Sequence, residues 1–254
     1  MNYRDKNWID KFFGNGFYAA AYEDFVDEAT TKAEVTAIVN LLQIPPGAHI
    51  LDWCGGWGRH ILELVGRGFQ GTLLDYTKLH IQMARRNAKF AHLKLRFIEA
   101  DFRHTPVDIQ ADFAINMFTA GIGYLGMDQD MVALRSLHAA IKPGAKILID
   151  TGNLFWLMSH YNPNGWRESG DGRVKVLEKR QFDFGKGENQ VTQILVRDDK
   201  EVGRQDYAIK IYTPHELANV VQAAGFTNIA LYGSVFGDPI GQTSKRLVLI
   251  AQKP

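Results

Sequence analysis

The chain has 254 residues, 46% of them hydrophobic and 22% charged, which is enough to bury a full core in one large domain or two small ones. A formal net charge of +1 supplies no long-range field for nucleic acid or an anionic membrane, so neither is expected as a partner. One cysteine excludes an internal disulfide and a cysteine-rich zinc site, eight histidines show no ligand spacing, and no metal is expected. The polar opening MNYRDKNWID carries no apolar signal stretch, and no uninterrupted apolar run approaches the roughly 18 residues of a membrane span, so a cytoplasmic address is expected. No feature sets an oligomeric state.

Residues Trp8 to Tyr22 are rich in aromatics and read as a helical or irregular segment folded over something. Thr31-Lys32-Ala33-Glu34 reads as a capping box, followed by Val35, Ile38, Val39 and Leu42 on one helical face and stopped by Pro45-Pro46-Gly47. Short apolar runs then alternate with helical periods. Strands are expected over His49–Cys54, Gly71–Tyr76, Leu93–Ile98, Ala111–Phe118 and Ala145–Thr151, with helices between them, including Leu79–Lys89 and one through Met131, Leu134 and Ile141. Such alternation means right-handed crossovers and a parallel sheet covered on both faces.

The pattern changes after about residue 170. Val174–Phe184, Val191–Val196 and Gln205–Tyr212 read as three hairpin-linked strands, an antiparallel insertion over 173–212. A second capping box with proline at its first helical position begins at Thr213, and Gly225 ends that helix. Ile229–Tyr232 and Arg246–Ala251 are joined by a link too short for a helical crossover, so they pair antiparallel.

The stretch ILDWCGGWGRH, Ile50 to His60, ends the first strand and opens a helix at Gly58. Its glycines exceed what a plain turn needs and suit a loop that approaches a ligand, with the free N–H groups of the helix start beside it. The spacing is not the G-x-G-x-x-G of a dinucleotide fingerprint. An acid at the strand end followed by glycines resembles motif I of class I S-adenosylmethionine-dependent methyltransferases, (D/E)-x-G-x-G-x-G. Asp52, Gly56 and Gly58 match, Cys54 replaces the first glycine, and Gly55 stands one place on. Asp75 closes the second strand where the family places an acid for the ribose hydroxyls, and it also reads as a helix cap beside Thr77. Glu99-Ala100-Asp101-Phe102-Arg103 resembles the segment whose acid meets the adenine amino group. Asn116-Met117-Phe118-Thr119, with Gly123-Tyr124, resembles an N-x-F-T-S-x-G-Y segment of a bacterial small-molecule subgroup, as do GRH, KPG, IYTPHEL and the closing YGSVFGDPIGQTSKRLVLIAQKP.

The resemblance implies an α/β, Rossmann-like seven-stranded methyltransferase sheet with its last strand antiparallel, helices on both faces and a small antiparallel β insertion. It implies one domain over 1–254, with the cap segment 1–44 and the insertion 173–212 as lid over an acceptor pocket. The cofactor implied is S-adenosylmethionine, leaving as S-adenosylhomocysteine. Its expected contacts are Tyr18, Thr31, Asp52, Cys54, Gly55, Gly56, Gly58, His60, Asp75, Tyr76, Asp101, Phe102, Asn116 and Phe118. Cys54 is expected to line the cofactor bed and not to act as a nucleophile, since no His or Asp is arranged to activate it. Tyr124, His160, Trp166 and Tyr212 are candidate acceptor-pocket residues, and no catalytic residue is assigned. The expected activity is in-line methyl transfer to a small molecule, at N, O or C, because the (D/N)-P-P-(F/Y) segment of nucleic-acid amino methyltransferases is missing. The alternatives are a nicotinamide-dependent oxidoreductase on a similar sheet and a non-catalytic cofactor-binding protein.

Overall fold

The computed structural model describes residues 8–22 and 25–254, so residues 1–7, 23 and 24 of the expected cap segment lie outside the described residues. A short π-helical turn, Asp10–Gly14, leads into α1 (Phe17–Tyr22) and α2 (Glu28–Leu42). Five strands with three intervening helices follow: β1 (His49–Trp53), α3 (Arg59–Gly66), β2 (Gln70–Asp75), α4 (Lys78–Phe90), β3 (Arg96–Glu99), β4 (Ala111–Asn116), α5 (Met127–Ala140) and β5 (Ile141–Gly152), with only 3-10 turns between β3 and β4. After α6 (Leu154–Ser159) come β6 (Asn164–Glu168), β7 (Val174–Asp183), β8 (Glu188–Arg197) and β9 (Lys200–Lys210), and then α7 (Pro214–Ala223), β10 (Thr227–Tyr232) and β11 (Arg246–Gln252).

Seven strands form one sheet in the order β10-β11-β5-β4-β1-β2-β3, in which only β11 runs antiparallel to its neighbours. Side chains alternate between its two faces with the period of two that a strand imposes. From β5 and β11, Ile147, Ile149, Leu247 and Leu249 join the core under α5 and α7, whereas Leu148, Val248 and Ile250 join the core under α2 and α3. The order reverses between β1 and β4, which leaves a crevice at their C-terminal ends, the usual ligand position of such sheets. Among the described residues no helix is long and apolar enough to cross a membrane.

The second sheet is antiparallel, in the order β6-β7-β8-β9. It has four strands where three were expected. The short β6 has no buried alternation to announce it, since Asn164, Trp166 and Glu168 all lie exposed. The inner face carries Val174, Val176, Val191, Leu195, Tyr207 and Ile209, and against these pack Trp8, Phe12, Phe17 and Ala21 of the N-terminal segment.

The capping box at Thr213 forms as expected: its side chain accepts from the Glu216 N–H, and Glu216 accepts from the Thr213 N–H. The one expected at Thr31 does not. Asp27 caps α2 by accepting the Thr30 N–H at 2.6 Å, so the helix begins a turn earlier and Thr31 donates to the Asp27 carbonyl at 3.1 Å. Glu34, released from capping, turns instead to Arg59 and His60 in the first turn of α3.

Candidate active site

The loop after β1 adopts the left-handed backbone at alternate positions: Cys54 (φ 64°), Gly56 (φ 59°) and Gly58 (φ 80°). These are the three glycine positions of the methyltransferase pattern, so Cys54 stands in the first glycine's conformation, at a cost of roughly 1 kcal/mol for a side chain there. Gly55 serves a different need. A methyl group on it would run into Asp52 Cγ and Leu73 Cδ1, so the backbone crosses directly over the Asp52 carboxylate. Gly55→Ala is therefore expected to destabilise the fold by about 1–3 kcal/mol through overpacking and to weaken cofactor binding, read by urea denaturation and calorimetry.

Asp52 is buried, and neither carboxylate oxygen accepts a hydrogen bond of good geometry. Burial, with the Asp75 charge adding to it and Arg59 opposing it, pushes its carboxyl up to about 7. Asp75, at the end of β2, is the opposite case. Its Oδ2 accepts the Gly56 N–H at 2.9 Å, and its Oδ1 accepts the Thr77 N–H at 2.9 Å and the Thr77 hydroxyl, with His80 Nδ1 at 3.3 Å. Burial opposes ionisation, yet His80 and Thr77 hold the carboxyl below its ordinary value. Asp101, after β3, caps a single 3-10 turn and is gripped by the fork of Arg103, Nε at 3.0 Å and Nη2 at 2.5 Å, while Arg103 Nη1 donates to Gln129 at 2.7 Å. Three successive parallel strands thus each place a carboxylate at or just beyond their C-terminal ends, one buried without a hydrogen bond of good geometry and two held in place.

These acids form one wall of a cavity of about 500 Å³. Tyr18, Cys54, Gly55, Gly56, His60, Tyr76, Phe102, Phe118 and Tyr124 share the lining with Asp52, Asp75 and Asp101. The opposite wall is aromatic: Trp8 and Phe13 lie 5.8 and 5.4 Å from Tyr124, and Tyr18 stacks on Tyr22 at 4.5 Å and lies 6.0 Å from Trp57. Burial, followed by the charges of Asp75 and Asp52, pushes the Cys54 thiol well up, so it stays protonated.

Several expected contacts lie elsewhere. Gly58 turns the backbone into α3 but is not on the cavity wall, and Asn116 is buried with its amide donating to the Trp53 carbonyl at 2.7 Å. Thr31 sits behind the wall, accepting from Arg59 at 3.1 Å. His160 is exposed at the end of α6, stacked on Trp156 at 4.6 Å. Trp166 is 66% exposed, on the outer side of the antiparallel sheet opposite Leu177. Tyr212 is fully buried, with its hydroxyl donating to Asp130 at 2.5 Å. His160, Trp166 and Tyr212 thus have no surface on this cavity: they form a surface stack, a sheet-face residue and a core residue. Among the described residues, 173–212 contributes nothing to the cavity surface; it backs the N-terminal aromatics from behind.

Reading by residue type missed Arg59, His80 and Arg103. Glu34 accepts from Arg59 at 2.5 Å and lies 3.0 Å from His60 Nε2. Burial works against the Glu34 charge, but His60 and Arg59 hold its carboxyl down at about 2. Arg59 and Arg246 each stand over the Phe118 ring, at 5.8 and 5.7 Å. The signal for Arg59 was present in the GRH segment, one residue past the loop, where a cation in the first turn of α3 opposes the helix dipole and needs a carboxylate partner.

Residues 50–144 match a family model described as a methyltransferase domain. A ubiquinone/menaquinone biosynthesis C-methyltransferase from Legionella pneumophila is 28% identical over 116 residues, 44% of this chain and 45% of that protein. A glycine/sarcosine N-methyltransferase from Parasynechococcus marenigrum is 28% identical over 141 residues, 52% of this chain and 50% of that protein. The chain thus spans about half the length of the curated relatives it matches. Among solved structures, an S-adenosylmethionine-dependent methyltransferase from Clostridium acetobutylicum superposes with a TM-score of 0.77 at 15% identity, covering 96% of this chain and 98% of that one. A SAM-bound amino pentose methyltransferase from Micromonospora echinaspora gives 0.70 at 18% identity, covering 94% and 97%. These two likenesses are of fold.

Proposed function

We propose that the chain transfers the methyl group of S-adenosylmethionine to a small-molecule acceptor. The observation that carries this reading is the buried Asp52 carboxylate, without a hydrogen bond of good geometry, under a loop crossed by Gly55, on the same cavity wall as Asp75 and Asp101. The cations on this wall are engaged elsewhere, Arg59 with Glu34 and Arg103 with Asp101, so neither is bonded to Asp52. That suits a ligand that is itself positive, and S-adenosylmethionine carries a sulfonium and an ammonium. The fit extends to the remaining acids. Asp75, fixed by Gly56 and Thr77, would accept from the ribose diol, and Asp101, oriented by Arg103, would accept from the adenine amino group.

Bound in this cavity, the cofactor supplies an activated methyl on a sulfonium leaving group. The protein's own part is to hold the acceptor in line and to exclude water. We read the N-terminal aromatics as the acceptor wall and the 173–212 sheet as its support. No general base is required where the acceptor arrives unprotonated. The relatives include a C-methyltransferase named for quinone biosynthesis and an N-methyltransferase named for glycine and sarcosine, so the accepting atom is left open between these chemistries.

Calorimetry with S-adenosylmethionine, set beside a fluorescence titration with NADH, tests the reading: heat with the first and no response to the second are expected. Asp75→Ala should weaken S-adenosylmethionine binding by about 1–3 kcal/mol, since the ribose hydroxyls lose a charged acceptor. Unchanged affinity removes Asp75 from the site, and NADH binding in place of S-adenosylmethionine sinks the reading as a whole.

A further inference from the structure

The antiparallel sheet holds a buried carboxylate that no part of the methyl-transfer reading uses. Glu178, on β7, is buried, and Arg167 Nη1 donates to its Oε1 at 2.9 Å while Arg180 Nη2 donates to its Oε2. Burial opposes its charge, but the two arginines and Gln193 keep it ionised, below the usual carboxylate range. On β8, Gln193 is fully buried, and its Nε2 donates at 2.7 Å to Glu178 Oε1 and at 2.7 Å to the Tyr22 hydroxyl oxygen. The Arg167 guanidinium carbon stands 4.3 Å from the Tyr22 ring centre and 5.1 Å from that of Phe25, and its Nη2 donates to the Ala21 carbonyl at 3.2 Å.

The proton directions in this network are fixed by its charged end. An ionised carboxylate only accepts, so Gln193 must turn its NH2 toward Glu178. Both amide protons are then committed, one to Glu178 and one to Tyr22. The Tyr22 oxygen is therefore an acceptor toward Gln193, and its own O–H proton cannot point that way. Tyr22 lies on the cavity wall, in the aromatic half with Trp8, Phe13 and Tyr124. Trp8, Phe13, Tyr18 and Tyr124 give this part of the wall an aromatic surface.

Resting on the methyltransferase reading, we propose that Tyr22 presents its hydroxyl proton to a lone-pair oxygen or nitrogen of an uncharged, largely apolar ring acceptor. Gln193, Arg167 and Glu178 are the positioning residues that fix it. The insertion then acts on acceptor choice from the second layer, without touching the acceptor.

Acetophenone and ethylbenzene, which match in ring and chain and differ in a carbonyl, serve as probes, titrated by ligand-observed NMR with and without S-adenosylhomocysteine. The wild-type protein is expected to bind acetophenone about five- to tenfold more tightly than ethylbenzene, one hydrogen bond's worth, and to lower its carbonyl stretching frequency in the infrared. Tyr22→Phe should abolish both the preference and the shift. Gln193→Leu should reduce both, and it serves as the readout if Tyr22→Phe does not fold by near-ultraviolet circular dichroism. Equal affinity for the two probes, no binding of either, or a carbonyl shift that survives Tyr22→Phe overturns the proposal. Failure of S-adenosylhomocysteine to bind strikes the methyltransferase reading alone, since the probe preference is read without it as well.

Discussion

Asp52→Asn is expected to make the ligand-free protein more stable at pH 8 and to weaken S-adenosylmethionine binding in the same step. The wild-type carboxyl rises from 3.8 to about 7 on folding, chiefly by burial. Below the unfolded value both states carry the proton and nothing is lost. Between about 4 and about 7 the unfolded chain gives up the proton before the folded one, so stability falls as pH rises. Above about 7 the folded protein holds an uncompensated charge at a cost on the order of 4 kcal/mol. Asparagine removes that cost and the pH dependence with it, less what its own unpaired amide protons take back. The same charge, acting across the Gly55–Gly56 loop, is what a cationic ligand would relieve, so its loss should weaken binding by about 1–3 kcal/mol. Near pH 7, where about half of the Asp52 carboxyls are protonated, cofactor binding to the wild type should release about half a proton. Calorimetry in phosphate and in Tris reads that release as a difference in heat, and urea denaturation from pH 5 to 8 reads the stability. A variant whose stability follows the wild type across that range would show that Asp52 does not carry the charge assigned to it.

The parallel half of the fold was legible because burial on both sheet faces writes itself as uninterrupted apolar runs, and Asp52 and Asp75 each follow such a run, whereas Asp101 follows the charge-interrupted edge strand β3. The motif loop was legible in part. Gly56 and Gly58 answer to backbone conformation, but Gly55 answers to the proximity of Asp52 and Leu73, which a pattern read along the chain does not contain. Two cap signals compete at the start of α2, and Asp27, four residues upstream, takes the cap by accepting the Thr30 N–H, which leaves Thr31 inside the helix donating to the Asp27 carbonyl. Long-range placement was the least legible. Tyr212, His160 and Trp166 were picked by side-chain type, yet whether a tyrosine faces a pocket or a core depends on the partner its hydroxyl meets, here an aspartate 82 residues away. Likewise the aromatic run from Trp8 to Tyr22 announces burial but not its partner, which is a sheet more than 150 residues downstream.

That distant aspartate carries the last expected result: Asp130→Ala should lower the unfolding free energy by about 3–5 kcal/mol, two charge-assisted hydrogen bonds' worth. Asp130 lies in the first turn of α5 and is fully buried. Its two oxygens stand 3.1 and 2.9 Å from the Gly123 nitrogen, and the Tyr212 hydroxyl donates to it at 2.5 Å. Gly123 is in turn joined to β9, its carbonyl accepting the Lys210 N–H at 3.0 Å, with φ at 92° and no room for a side chain against the Lys210 carbonyl. One carboxylate therefore ties together the helix, the loop 117–124 that lines the cavity, and the edge of the antiparallel sheet. Removing it strands a buried N–H and a buried hydroxyl at once, whereas Tyr212→Phe removes one hydrogen bond and should cost about 1–2 kcal/mol. Because the two groups share one partner, the double variant should cost less than the sum of the single ones. The loop carries Phe118 and Tyr124, so the weakened tie should also loosen the wall where the acceptor would sit. Denaturation of the three variants by urea measures the ordering. A cost for Asp130→Ala no greater than that of Tyr212→Phe would mean that Gly123 is held by the β9 edge alone, and that the loop does not depend on Asp130 for its place at the cavity.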